Sequence, residues 1–60
     1  MIEVTFRDLD HVEQEIGCWN VKVVPRKEEC VVIGQRSFTV FLVEHFIESS
    51  KILVTLRAIP

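Results

Sequence analysis

His11 is the first residue that could do chemistry, because Asp8 and Asp10 stand beside it. A carboxylate next to an imidazole can orient it as a general base or share a metal ion with it. The same residues also open a segment whose apolar positions recur at helical spacing, and Asp is favoured at a helix start for capping and dipole reasons alone. Catalysis by a lone Asp-His cluster would further need a cleft and a third group, and the spacing matches no metal or triad motif. A structural role is the expectation. His45 lies in an apolar strand, where a neutral imidazole with one hydrogen-bond partner is the ordinary reading and a pH-sensitive interface the sharper one.

Cys18 and Cys30 are the two cysteines. If Val24 opposes Cys30 in a hairpin, Cys18 lies six residues further along the partner strand, roughly 20 Å away at strand rise. A disulfide needs Cα atoms within about 7 Å. Both thiols are therefore expected to be free and structural, and zinc would need ligands from another subunit. Trp19 is the sole tryptophan; sheet-face packing is the expected role, with an interface anchor as the alternative. No Ser-His-Asp order, phosphate-binding Gly-rich loop or paired-carboxylate motif is present, so the chain is expected to be non-enzymatic, with no cofactor, no metal and no small-molecule substrate.

The elements that would position these residues are mostly strands. Ile2, Val4 and Phe6 alternate with Glu3, Thr5 and Arg7, the pattern of a half-buried strand. From Asp8 the period changes. Leu9, Val12 and Ile16 share a helical face, Asp10 and Glu13 resemble a capping box, and Gly17 follows as a stop. This predicts a helix of about two turns over Leu9–Ile16, or an acidic loop if it lacks packing. Cys18 to Val24 alternates again, and Cys30 to Ile33 is a short apolar run. Their pairing would join Trp19, Val21, Val23, Val31 and Ile33 in one apolar patch. Gly34-Gln35-Arg36 suits a turn with Gly in the left-handed region.

The last third is the most regular. With Ser49-Ser50 as the turn and Glu48 opposite Lys51, Ile47, His45, Val43 and Phe41 face Ile52, Val54, Leu56 and Ala58 on an apolar side. The other side carries Val40, Leu42, Glu44 and Phe46 with Leu53, Thr55, Arg57 and Ile59, and Glu44 diagonal to Arg57 is within reach of an ion pair. Ser-Ser is a mediocre two-residue turn, and a four-residue loop in the same register fits equally. A helix over Phe38 to Ser49 is the rival, disfavoured because it would be apolar nearly all round and rich in β-branched and aromatic residues. The predicted fold is mainly β (α+β): an antiparallel meander sheet of about five strands with one short N-terminal helix. A small all-β SH3-like barrel is the alternative.

Sixty residues bound this to one small domain, residues 1–60, near the lower limit for a core to outweigh chain entropy. The start lacks a signal peptide's basic and apolar regions, and no apolar run approaches a membrane span, so a cytoplasmic protein with no membrane association is expected. Net charge is −2 with both signs interspersed, which argues against a basic nucleic-acid-binding stripe. Apolar residues make up 48%, more than so small a monomer readily hides, which predicts a protein partner or a homo-oligomer, a homodimer foremost. The expected function is a protein-binding module, a regulator, inhibitor or assembly subunit. Its predicted partner-binding residues are Val40, Leu42, Glu44, Phe46, Leu53, Arg57 and Ile59. A single-stranded nucleic-acid-binding module, stacking bases on Trp19, Phe38 and Phe46, is the alternative.

Overall fold

Asp8 decides the first turn of the chain. A computed structural model describes residues 1–59, apart from the side chains of Val12 and Glu13. It contains β1 (Ile2–Asp8), β2 (His11–Val21), β3 (Cys30–Ile33), β4 (Arg36–Phe46) and β5 (Lys51–Ala58). The Asp10 N–H donates to Asp8 Oδ1 at 2.9 Å, an Asx turn that reverses the chain between Asp8 and its partner His11. The predicted helix over Leu9–Ile16 is therefore replaced by a hairpin, and among the described residues there is no helix at all, hence none that could cross a membrane. The side-chain-to-backbone bond that an Asp cap would make is used instead to close a turn. The Glu13 half of the predicted capping box lies outside the described residues.

All five strands form one curled half-barrel sheet in the order β2-β1-β5-β4-β3. The predicted meander is corrected at two places. β2 pairs with β1 rather than β3, so Val24 does not oppose Cys30; and β1 lies parallel to β5, with Thr5 opposite Leu53 and Phe6 opposite Val54. β2 and β3 are left as the two sheet edges, so no ladder closes the sheet into the alternative barrel. Between them, the connection folds back on β4: the Glu28 N–H donates to the Val40 carbonyl and the Val40 N–H to that of Glu29. Gly34, with φ of 62°, forms the expected left-handed turn between β3 and β4.

The β4–β5 hairpin exists, in a register two residues from the predicted one. Phe46, not Glu48, opposes Lys51, and Ile47 to Ser50 form a four-residue turn in which Ser50 has a φ of 53°. A shift of two keeps every side chain on its face, so Val43 still meets the core beside Val54. A bulge between Val40 and Leu42 then changes the face of everything before it. Val40 and Phe38 turn inward and Phe41 turns out, reversing the predicted placement of Val40 and Phe41. The resulting core is Val4 and Phe6 of β1, Phe38 and Val40 of β4, and Val54 and Leu56 of β5. Ile16, Val21, Val24, Val31 and Ile33 pack at its margins.

Candidate functional site

The outer face of the sheet brings together five of the seven predicted partner-binding residues. Pairing sets Leu42 opposite Thr55 and Glu44 opposite Leu53, with Phe46 and Arg57 continuing the same face towards its two ends. Val40 is not part of this surface, being in the core, and Ile59 lies just past the end of β5, where its N–H donates to the Ser37 carbonyl at 3.0 Å. Leu53 is on the face but only 8% exposed, so it is a floor rather than a contact residue.

Two residues complete the surface that the sequence did not single out. Arg7 reaches across β5 from β1 to Glu44 on β4, with Nη2 to Oε1 at 3.7 Å, and this bridge lies over Leu53 and Thr55. It replaces the predicted Glu44–Arg57 pair. Arg57 instead stacks over Phe41, its guanidinium carbon 5.1 Å from the ring centroid, a cation–π contact. Each change has its own cause: the parallel β1 neighbour supplies a cation to Glu44, and the bulge delivers an aromatic ring to Arg57. The alternation of Arg7 with Val4 and Phe6 was the available signal for its outward direction; the bulge left none for Phe41.

The result is a strip along β4 in which Phe41, Leu42 and Phe46 are 38%, 43% and 43% exposed, bordered by the Arg7–Glu44 pair and by Arg57. Chemically it offers apolar contact area and a mixed-charge rim.

The inner face ends in an open trough between the two sheet edges. Phe6, Trp19, Val21, Val31 and Ile33 line a cavity of about 300 Å³ there. The predicted apolar patch thus exists across the mouth of the half-barrel rather than within a hairpin, and without Val23, which is exposed elsewhere. Trp19 packs on Phe6 with ring centroids 5.8 Å apart. Its indole also lies over Gly17, where an added Cβ would come within 2.5 Å of the ring; Gly17 makes room for the tryptophan instead of stopping a helix.

The remaining candidates have ordinary environments. His11 Nδ1 stands 3.7 Å from Asp8 Oδ2 at an exposed turn, and the other Asp8 oxygen is already held by the backbone. His45 is exposed beside Val24, Arg26 and Lys27, not buried on the apolar face as predicted, because the end of the hairpin extends beyond the core. Cys18 and Cys30 are free, and both are exposed instead of packed. Among the described residues no group of three or more His, Cys, Asp and Glu is placed to hold a metal ion. No protein-family model, no curated protein and no solved structure matches this chain.

Proposed function

We propose that this chain is a small non-enzymatic protein-binding module whose contact surface is the outer face of β4 and β5. The observation that carries the reading is the partly exposed strip Phe41, Leu42 and Phe46. Apolar centres with polar rims are characteristic of surfaces that partners cover. The occupant expected is a protein with an apolar centre. Of the cations on this face, Arg7 is engaged with Glu44 and Arg57 with Phe41, and Lys51, opposite Phe46, is a single charge rather than the basic stripe that a phosphate backbone calls for.

The test compares immobilised wild-type chain with Leu42→Glu, and with Val23→Thr as a control at an exposed site off this face. A defined partner retained by wild type and control, and lost on Leu42→Glu while that variant stays folded, supports the reading. Retention by all three overturns it. Binding of a generic single-stranded oligonucleotide that weakens steeply with salt would replace it by the nucleic-acid reading.

A further inference from the structure

β2 is an eleven-residue strand at the edge of the sheet, paired on one side by β1 and carrying no strand on the other among the described residues. The opposite edge is managed: β3 has four residues, and the connection from β2, with Pro25, Arg26 and Lys27, folds back to occupy the edge of β4 at Val40. Short strands, Pro and cations on an edge are devices that block pairing with another chain. β2 has such a device only in its first half, where register shifts occur opposite Arg7 and Asp8. From Gly17 to Val21 the strand pairs regularly with β1, from Phe6 opposite Gly17 to Ile2 opposite Val21. These five residues, Gly-Cys-Trp-Asn-Val, contain no charge and no Pro.

We infer that the Gly17–Val21 edge is a self-association site, pairing antiparallel with the same segment of a second copy of this chain. Charge selects that occupant and that direction. Glu15 stands before the neutral segment and Lys22 after it, both exposed. Antiparallel pairing centred on the segment brings Glu15 of one copy near Lys22 of the other, twice by symmetry, whereas parallel pairing would bring like charges together. The inner side of the same edge presents Trp19, 44% exposed, next to the trough, so pairing covers an aromatic as well as backbone groups. The chain also exposes more surface than a compact monomer of its size, by an amount that is most of one partner's share of a standard interface. The chain exposes 4586 Å² for a mass of 7.0 kDa, about 550 Å² more than the roughly 4,000 Å² of a compact monomer of that mass. A standard interface takes about 800 Å² from each partner. This site is separate from the outer face of β4 and β5, and the two stand or fall independently.

The experiment is sedimentation of the full chain across an approximately hundredfold concentration range, with emission of the sole tryptophan recorded in parallel. Wild type is expected to pass from monomer to dimer with a blue shift of Trp19. Lys22→Glu, which has no charged partner across β1, should weaken the dimer roughly tenfold, since it turns two attractive pairs repulsive. Glu15→Lys should do the same, and the double charge swap should restore wild-type affinity. A chain that stays monomeric throughout overturns the inference. So does a dimer indifferent to Lys22→Glu, or one that Leu42→Glu abolishes, which would place self-association on the outer face.

Discussion

The inner and outer sides of β5 are both shielded, but by different materials. Inward, Val54 and Leu56 are sealed by Val4, Phe6, Phe38 and Val40, apolar side chains brought over them from the two neighbouring strands, β1 and β4, by the curl of the sheet. Outward, Leu53 and Thr55 are 8% and 3% exposed beneath the long side chains of Arg7 and Glu44. The first cover is close-packed and cannot move without opening voids. The second is one layer of flexible stems with charged ends in water. A sheet of this kind keeps its stability on one side and leaves the other free to be reshaped by contact.

The largest expected effect is on the inner side. Leu56→Ala should lower stability by about 2–5 kcal/mol, as truncation of a fully buried Leu does, read as a fall in the urea midpoint. Thr55→Ala, one residue along and facing out, should lose much less, and equal losses would erase the distinction between the faces. Next comes the margin of the core. Gly17→Ala drives a methyl group into the Trp19 indole and should cost about 1–3 kcal/mol, the usual range for overpacking. Tryptophan emission should move to the red as the ring leaves Phe6, and unchanged emission would show that the ring is not seated there. The smallest effect belongs to the outer cover. The Arg7–Glu44 pair is partly exposed, and Arg7 Nε is buried with no hydrogen-bond partner among the described residues. Arg7→Met keeps the stem and removes the unsatisfied donor, so stability should change by no more than about 1 kcal/mol. Arg7→Ala, which strips the cover from Leu53 and Thr55, should be the worse of the two.

The same contrast explains which parts of the fold were legible in the sequence. Alternation in Ile2–Phe6 and in Lys51–Ala58 identified two strands and the inner face of the second, because period two survives any even shift of register. Gly34 announced its own turn. Residues Asp8–Ile16 misled because Leu9, Val12 and Ile16 satisfy a helical period while Asp8 is equally suited to a cap and to an Asx turn. The pairing with β1, a tertiary contact, decided between them. The parallel β1–β5 ladder joins residues nearly a whole chain apart, and local pattern has no access to that. It is this ladder that sends Arg7 to Glu44. The bulge at Phe41 is the remaining gap: Thr39-Val40-Phe41-Leu42 alternates no more clearly in one frame than the other, and plain alternation from Val43 puts Val40 on the surface and Phe41 in the core, the reverse of the structure.

That bulge is also where the separation of the faces can be tested most directly. Val40 and Leu42 are two residues apart in one strand and, by plain alternation, would share a face; the structure puts Val40 in the core and Leu42 on the outer strip. Urea unfolding of Val40→Glu and Leu42→Glu under identical conditions measures the difference. Val40→Glu, which buries an unpaired carboxylate, should fail to fold or lose most of its stability, and Leu42→Glu should stay within about 1 kcal/mol of wild type. Similar losses for the two variants, or a greater loss for Leu42→Glu, would contradict both the bulge and the surface built upon it.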